Sequence, residues 1–426
     1  MAQTIPITIP YGSNKLTVEI PVKNYQATAL PAEPLCTVAD AAAAIEQALQ
    51  APYGTSRLSQ LVKEGCKIAI IISDYTRPTP SDVILGPVLS ELAANGIKEE
   101  DITIVVACGL HEPSSENSLK TMLGEAILSR YKVVNHNADD LENLVFVGTT
   151  STGIPVTINR LVAEADVRIS VGSIDPHRFA GWSGGAKNVL PGVAARETVN
   201  AHHILLRNPA TRMGVTAGNP FREQLEEAAA LARLDFIINV VLSRGREIAH
   251  VVAGDAVEAH RAGVEYAQQR IAVQVARQAD VVIASPGGAP RDREFWQTEG
   301  KGLGPISTVV KDGGIVIMAA QCLGGIGNEE FAHYLRTMDV VEMEQALIKG
   351  PFSMALAKAY EFAKLAQRVQ VWLITEGLTA VAFTKIPVKV FSSLEQAVEQ
   401  ALEQNPAASI LAVPNAAGVV LKIAVS

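Results

Sequence analysis

Polar and cationic side chains follow two apolar runs in the first third of the chain. Asp74 and Arg77 come directly after the first run, and His111 follows the second between Gly109 and Pro113. Ligands of open α/β sheets bind beyond the carboxyl ends of the strands. Arginine suits a carboxylate or phosphate, and histidine suits acid–base work or metal ligation. The structural alternatives are an aspartate cap with an arginine partner, and a histidine held by loop backbone.

The densest group of functional side chains follows a third apolar run. It contains His177, the turn Ser183-Gly184-Gly185 and Lys187. Such glycines let backbone N–H groups approach an anion closely, and a following helix start adds its dipole. The spacing matches neither a P-loop nor a G-x-G-x-x-G dinucleotide fingerprint. Lys187 could neutralise a phosphate, or act as a nucleophile if its pKa is lowered.

Histidines are concentrated in the same part of the chain. Of the 8 histidines, those between residues 111 and 203 are His111, His136, His177, His202 and His203. A converging set of imidazoles suits a borderline metal such as nickel, zinc, iron or copper. The spacing differs from H-E-x-x-H and from zinc fingers. For His136 a purely structural role is the alternative.

Two polar residues of the second half could contribute to the same site. Gln297 and Lys301 follow a predicted strand and share a face if they lie on a helix. They could clamp a substrate carboxylate across a cleft between domains, and a solvated helix face is the equally weighted alternative. Cys322 lies in a Gly-rich loop after a later strand, which we interpret as the start of a helix.

Alternating strands and helices must position these side chains. Short β-branched runs followed by helical patterns lie at Lys67–Ser73, Ile102–Ala107, Val167–Val171, Phe236–Leu242, Val281–Ser285, Gly314–Ala319, Val369–Thr375 and Ile410–Val413. Continuous apolar strands alternating with helices predict an α/β fold whose parallel sheets are covered on both faces. Before them, Thr4–Ile9 and Leu16–Ile20 alternate apolar and polar residues, which predicts a hairpin.

The length of 426 residues favours two or three domains. A helical pattern over Val257–Ala279 followed by a fresh strand predicts a boundary near residue 275. We therefore expect an N-terminal α/β domain over residues 1–275, carrying the cofactor and acid–base residues. A smaller C-terminal α/β domain would cover 276–426, with a tail that could return to the first domain.

Composition and charge exclude several classes of protein. The formal net charge of −8 argues against binding nucleic acid or an anionic membrane through the overall field. The N-terminus lacks a basic segment followed by an apolar one, and the apolar runs are short for a membrane span. The 4 cysteines form no C-x-x-C pair, which argues against a structural zinc site. We expect a cytoplasmic protein.

Four features in the same order resemble the nickel-pincer lactate racemase family. They are D-x-T-R-P-T-P at Asp74–Pro80, G-L-H-x-P at Gly109–Pro113, the segment Asp175–Lys187 and His203. The resemblance implies two α/β domains with mainly parallel sheets and an active site in the interdomain cleft. It also implies a racemase or epimerase that inverts C2 of a 2-hydroxy acid by hydride transfer to and from a nickel-pincer nucleotide. Cofactor-biosynthesis proteins would supply that nucleotide.

The resemblance also assigns roles to individual residues. Lys187 would hold the cofactor covalently, and His203 would ligate nickel. His111 and His177 would be the acid–base residues on opposite faces of the substrate. The remaining positions are cofactor-binding Asp74, Thr76, Ser183, Gly184 and Gly185, and substrate-binding Arg77, Gln297 and Lys301.

One departure from the family pattern concerns the substrate. The lactate-racemising members space the Gln and Lys of the C-terminal domain one residue closer than Gln297 and Lys301. Lactate, malate, an aromatic hydroxy acid and a sugar acid therefore all stay open. Two alternative functions also stay open: a zinc-type lyase or hydrolase that uses the histidine cluster, and a non-catalytic metallocofactor-binding protein.

Overall fold

The computed structural model describes residues 3–31, 35–243, 245–350 and 352–424. The strands are β1 (Thr4–Tyr11), β2 (Asn14–Pro21), β3 (Tyr25–Thr28), β4 (Ile68–Ser73), β5 (Ile102–Ala107), β6 (Lys132–Asn135), β7 (Leu144–Thr149), β8 (Pro155–Asn159), β9 (Val167–Ser173), β10 (Pro176–His177), β11 (Gly181–Trp182), β12 (Phe236–Leu242), β13 (Ile248–Gly254), β14 (Ala272–Val275), β15 (Ala279–Ala284), β16 (Val310–Ala319), β17 (Gln370–Ile374), β18 (Val388–Phe391), β19 (Ile410–Val413) and β20 (Val420–Ile423).

The helices are α1 (Ala41–Gln50), α2 (Leu58–Leu61), α3 (Ser81–Ala94), α4 (Glu116–Arg130), α5 (Arg160–Ala163), α6 (Arg196–His203), α7 (Pro220–Leu231), α8 (Glu258–Ile271), α9 (Phe295–Thr298), α10 (Gly304–Ile306), α11 (Glu329–Thr337), α12 (Val340–Lys349), α13 (Met354–Arg368) and α14 (Leu394–Gln404). A π-helical turn, Glu299–Leu303, joins α9 to α10. Among the described residues, every helix is too short or too polar to span a bilayer.

The chain forms two compact units, one of Pro34–Arg270 and the other of Met1–Glu33 with Ile271–Ser426. The first unit is built on a sheet of order β13-β12-β9-β4-β5-β6, in which only β13 is antiparallel to its neighbour among the described strands. Its central strands are buried on both faces. In β4, Ile68, Ile70 and Ile72 enter one apolar core while Ala69 and Ile71 enter the other. Such two-sided burial explains the unbroken apolar runs.

The carboxyl ends of β5, β4 and β9 are neighbours in this sheet. The loops that begin at Asp74, Cys108 and Ile174 therefore leave the sheet along one edge, although they are far apart in sequence. Other elements fix the third loop from behind, because α7, β4 and β9 all contact the 3-10 turn Gly185–Asn188. This edge carries the candidate site.

The second unit contains a wholly parallel sheet of order β18-β17-β16-β15-β19-β3. The predicted hairpin forms from β1 and β2. Its inward-facing side chains, including Ile7, Ile9 and Val18, enter the same core as Ile283 and Ile317. The mixed α/β class with mainly parallel sheets is thus confirmed.

The domain division differs from the prediction at two places. Residues up to Glu33 belong with the C-terminal unit, because the apolar face of the hairpin is buried there and β3 pairs with β19. The helix predicted over Val257–Ala279 ends at Ile271, and the residues that follow form β14. Since β14 pairs with β20, the tail of the chain stays within its own unit.

Candidate active site

Asp74 and His111 form a hydrogen-bonded pair at the carboxyl edge of the first sheet. Asp74 is buried, and its Oδ2 lies 2.7 Å from His111 Nδ1. A carboxylate only accepts hydrogen bonds, so Nδ1 carries the hydrogen and Nε2 of the neutral ring keeps its lone pair. Nearly half of the His111 side chain, 47%, is exposed. The pair is therefore a histidine base oriented by a carboxylate, as in hydrolase triads.

The loop after β4 keeps the Asp74 carboxyl ionised. Burial opposes its charge, but hydrogen bonds from His111 and Thr76 and the charge of Arg77 outweigh this, so the pKa of Asp74 lies below its ordinary value. Both the amide and the hydroxyl of Thr76 donate to Oδ1, at 2.8 and 2.5 Å. Thr76 thus fixes the Asp74 carboxylate by hydrogen bonds, while the exposed guanidinium of Arg77 can bind an anion.

His177 is held in the opposite tautomer to His111. Its Nδ1 accepts hydrogen bonds from the backbone N–H groups of Phe179 and Ala180, at 3.2 and 3.1 Å. The neutral ring therefore carries its hydrogen on Nε2, which lies 3.1 Å from Lys187 Nζ. Burial, followed by the charges of Lys187 and Arg77, lowers the pKa of His177 well below its ordinary value.

Lys187 lies in the 3-10 turn Gly185–Asn188, with its amine against His177. Burial, then the charges of Arg77 and Arg222, lower the pKa of the Lys187 amine well below its ordinary value. A neutral amine accepts the Nε2–H of His177 and has a nucleophilic lone pair. The next residue anchors the turn to the sheet, since Asn188 donates to the carbonyl of Val171 at 2.8 Å.

The Ser183-Gly184-Gly185 turn is tied into the protein. Ser183 donates its backbone N–H to Asp175 O and its hydroxyl to Ser173 O, each at 2.8 Å. The N–H of Gly185 donates to Asn239 Oδ1 at 2.7 Å. Two of the N–H groups that the sequence suggested for an anion are thus engaged internally. The role that this geometry supports is to hold Lys187.

His203 and His202 face different surroundings at the end of α6. The Nδ1 of His203 lies 2.7 Å from Val199 O, so it carries the hydrogen and Nε2 keeps its lone pair. This is how a protein orients a metal-ligating imidazole. Burial, opposed by the Val199 hydrogen bond and aided by the charge of Lys187, lowers the pKa of His203 to about 4. His202 instead bonds to Phe221 O at 2.9 Å and packs on the Phe221 ring.

Two further buried side chains at this site were missed by the sequence analysis. Arg222 of α7 is fully buried and donates to the carbonyls of Ala180, Trp182 and Gly184. His260 of α8 lies 2.8 Å from Ser183 O. Both residues sit in helices with charged neighbours, so their sequence pattern is that of a solvated surface. His136 is structural, since its Nε2 bonds to Ala194 O at 3.0 Å.

Gln297 and Lys301 lie in the second unit on one continuous helical segment. Gln297 belongs to α9, and the exposed Lys301 belongs to the π-helical turn that follows. π-Helical turns are rare and concentrate at functional sites. Within this segment Glu299 is buried, and its carboxylate lies 3.4 Å from Lys358 Nζ. Lys358 also donates to Trp296 O and covers the Trp296 ring.

The donor set fits a cofactor that brings most of its own metal ligands. His111 Nδ1 is bonded to Asp74, and both nitrogens of His177 have neighbours in the protein. His203 offers a lone pair on an imidazole whose other nitrogen is anchored. Among the described residues there is no group of three or more His, Cys, Asp or Glu side chains that could hold a metal ion. The site thus holds an imidazole anchored through Nδ1, that of His203, and an amine in contact with His177, that of Lys187.

Comparison with known proteins gives consistent matches over both units. Residues 11–214 match the model of the lactate racemase N-terminal domain, and residues 274–421 match that of the lactate racemase C-terminal domain. The chain is 32% identical over 427 residues to a lactate racemase of Lactiplantibacillus plantarum, covering 98% of this chain and 100% of the relative. It is 36% identical over 333 residues to one of Thermoanaerobacterium thermosaccharolyticum, covering 78% of each.

Solved structures give the same picture. The lactate racemase apoprotein from Thermoanaerobacterium thermosaccharolyticum aligns with a TM-score of 0.90 at 31% identity, over 98% of this chain and 100% of that one. A crystal structure of a Thermotoga maritima protein aligns with a TM-score of 0.66 at 21% identity, over 93% of this chain and 100% of that one. The second likeness concerns the fold alone.

Proposed function

This chain belongs to the lactate racemase family and is a racemase, and on that premise we propose that it inverts C2 of a 2-hydroxy acid with a nickel-pincer nucleotide bound at Lys187. Lactate is the first substrate to test, because both curated relatives are lactate racemases. The observation that carries the proposal is the arrangement of hydrogen bonds at one sheet edge. His111 Nδ1 is bonded to Asp74, His177 Nδ1 accepts two backbone N–H groups, and His177 Nε2 lies 3.1 Å from the Lys187 amine, whose pKa is lowered by burial.

The chemistry explains why such a set is needed. The α-proton of a 2-hydroxy acid is weakly acidic, so inversion through a 2-keto acid is easier than direct deprotonation. When bound, the nickel-pincer nucleotide supplies the hydride acceptor and donor. The residues of the chain then have to move the hydroxyl proton and keep the carbon skeleton in place.

His111 is the proposed first proton acceptor. Asp74 holds the ring so that Nε2 has the lone pair, and the same carboxylate stabilises the imidazolium that forms. His177 is the proposed partner on the other face of the substrate, and it begins as a donor because its Nδ1 accepts two backbone hydrogen bonds. The two histidines therefore begin a cycle in different states. His111 would take up the hydroxyl proton and return it from its imidazolium to the product oxygen, and the Nε2–H of His177 would hydrogen-bond to the substrate oxygen without forming an imidazolate.

Anchoring of the substrate carboxylate is proposed for Arg77, Gln297 and Lys301. The exposed guanidinium of Arg77 follows Asp74 in the loop after β4, and its fork suits two carboxylate oxygens. The carboxylate has to stay fixed while C2 passes through a planar state. His203 would hold nickel through Nε2, since an imidazole nitrogen suits this metal. Cofactor-biosynthesis proteins would supply the nucleotide.

The function is tested by chiral analysis of the loaded enzyme. The protein is co-expressed with cofactor-biosynthesis proteins and incubated with L-lactate, D-lactate and a panel of malate, aromatic and sugar 2-hydroxy acids. The proposal expects one of these pairs of enantiomers or epimers to interconvert. In deuterated water the product should keep its C2 hydrogen, because hydride transfer does not exchange with solvent. Full deuteration at C2, or no interconversion across the panel by protein that carries nickel, would contradict it.

A further inference from the structure

Arg222 binds the backbone between two functional groups. Its side chain is fully buried, and its three nitrogen atoms donate to the carbonyls of Ala180, Trp182 and Gly184. These carbonyls lie between His177 and Lys187 along the chain. A planar guanidinium has donors in fixed directions on three nitrogen atoms, so it holds three carbonyls in a defined arrangement, whereas an ammonium is a compact charge on a flexible stem. Arg222 thereby determines the path of the segment 180–184.

The same segment needs that support because its backbone is unusual. Gly181 and Gly184 both have φ of +73°, a region that favours glycine. A Cβ at Gly181 would come within 1.9 Å of Val215 O, so the segment passes close to its neighbour. His260 engages a fourth carbonyl, that of Ser183, at 2.8 Å. Buried donors from α7 and α8 thus converge on four carbonyls of one loop.

Arg222 also leaves an excess of positive charge behind this loop. Its nearest carboxylate, Glu226, is 3.9 Å from Nε. Glu226 is bonded more closely to Arg261, at 2.7 and 2.9 Å. Two guanidinium groups therefore share one carboxylate. Burial lowers the pKa of Arg222 to about 10; the Glu226 charge opposes this shift and the Arg261 charge adds to it. Arg222 therefore stays protonated at neutral pH.

The two charges that lower the pKa of the Lys187 amine most, after burial, are those of Arg77 and Arg222. His177 contacts the amine. The charge of Lys187 in turn lowers the pKa of His203. Arg77 is exposed and screened by water, whereas Arg222 is fully buried, and buried charges are screened far less. Arg222 is thus the fixed cation that acts on the Lys187 amine from within the protein.

We infer that Arg222 is a positioning residue for Lys187, which fixes the 180–184 backbone and, by its buried positive charge, keeps the lysine amine in its nucleophilic, unprotonated form. The inference rests on the proposed attachment of the cofactor at Lys187, and it assigns the preparation of that attachment to the apoprotein itself. Glu226 modulates the effect, because it is the carboxylate that offsets the charge of Arg222.

The experiment measures the reactivity of Lys187 in the full-length apoprotein as a function of pH. A trace of acetic anhydride acetylates each neutral amine: nitrogen attacks the carbonyl carbon, acetate leaves with the bonding pair, and the amine proton passes to water. Peptide mass spectrometry then gives the acetylated fraction of Lys187 relative to Lys15, an exposed lysine in β2. The variants are Arg222→Met, Arg222→Lys and Glu226→Gln.

A matched control is available in Arg168. This residue is buried on β9 and donates to the carbonyls of Val162 and Ala163, but it pairs with Asp235 and lies outside the loop. Arg168→Met tests the general effect of losing a buried arginine. Circular dichroism and thermal unfolding report whether each variant is folded.

In Arg222→Met we expect the pH midpoint of Lys187 acetylation to rise by about one unit, which lowers the rate about tenfold at pH values well below the parent midpoint. Arg222→Lys keeps the charge and should raise the midpoint less. Arg168→Met should leave the midpoint unchanged. Glu226→Gln should move the midpoint down, because it removes the compensating carboxylate. If Arg222 acted only by holding the backbone, Arg222→Met and Glu226→Gln would not shift the midpoint in opposite directions.

Two results would overturn the inference. One is a folded Arg222→Met protein whose midpoint equals that of the parent. If that variant does not fold, an unchanged or raised midpoint in Glu226→Gln overturns it instead. Whether Lys187 carries the cofactor is read separately, from the mass of the loaded protein, so failure of the positioning role and failure of the proposed function give different results.

Discussion

His177 Nε2 lies 3.1 Å from Lys187 Nζ, so the proposed acid–base residue and the proposed attachment residue contact each other directly. Burial, followed by the charge of Lys187, lowers the pKa of His177. In the acidic range where His177 titrates, the Lys187 amine is protonated, whereas an amide-type linkage at that position carries no charge. Attachment of a cofactor would therefore bring His177 closer to the pKa that proton transfer near neutral pH requires.

We expect Lys187→Met to raise the pKa of His177, because the variant cannot carry a charge at that position. The measurement is an NMR titration of the His177 ring in the apoprotein. Lys15→Met, which alters an exposed lysine of the other unit, serves as the control. An unchanged or lower His177 pKa in Lys187→Met would mean that the contact does not couple the two groups.

Asp74→Asn should reduce kcat of the loaded enzyme by roughly 10³–10⁴-fold, as loss of the orienting carboxylate does in a catalytic triad. An amide at this position can donate to Nδ1 of His111, which would place the ring hydrogen on Nε2 and remove the base. Nitrogen chemical shifts of His111 report the tautomer directly. Thr76→Val removes one of the hydrogen bonds to Asp74 and should have a much smaller effect. Equal effects of the two variants would argue against the role of Asp74.

Replacement of either proposed acid–base residue should be severe. His111→Ala and His177→Ala should each lower kcat by about 10²–10⁴-fold, the usual contribution of a positioned general acid or base. His333→Ala, at an exposed position on α11, should leave kcat unchanged. Rates close to the parent in both histidine variants would exclude the two-histidine scheme.

Lys358 should stabilise the helical segment that carries Gln297 and Lys301. Its ion pair with Glu299 is largely buried, with side chains 11% and 2% exposed. Lys358→Met removes this cationic partner from a buried carboxylate and should lower the free energy of unfolding by about 3–5 kcal/mol. Denaturant unfolding of the apoprotein measures this loss.

The double variant Lys358→Met with Glu299→Gln should recover part of that stability, because the buried side chain at position 299 then carries no charge. In the loaded enzyme the single variant should raise KM more than it lowers kcat, since Gln297 and Lys301 are proposed to bind the substrate carboxylate. Additive losses of stability in the double variant would show that the ion pair contributes little.

The sequence contained enough information to place the site at one edge of a sheet. Asp74, His111 and His177 each follow a buried parallel strand, and the strands concerned are neighbours. The periodicity of apolar runs is a local property, so it could be read without coordinates. The bounds of β5, β12 and β19 were predicted to the residue, because each is a short apolar run with sharp polar flanks.

What the sequence did not predict depends on contacts between distant segments. Arg222 belongs to a helix whose charged residues suggest a solvated surface, and its burial follows only from the packing of α7 on the 3-10 turn at Lys187. The internal bonds of Ser183 and Gly185 depend likewise on Asp175 and Asn239. The hairpin β1–β2 was predicted at the right residues but assigned to the N-terminal domain, whereas it packs in the C-terminal unit, since periodicity shows which face is apolar and not what covers it.

The most direct measurement of the central claim is the mass of Lys187 in protein co-expressed with cofactor-biosynthesis proteins. We predict that intact-mass analysis and peptide mapping find a nickel- and sulfur-containing nucleotide adduct on the peptide with Lys187. Lys187→Ala should lose both the adduct and racemase activity. Racemase activity in Lys187→Ala equal to that of the parent, or an adduct carried by another residue, would contradict the account.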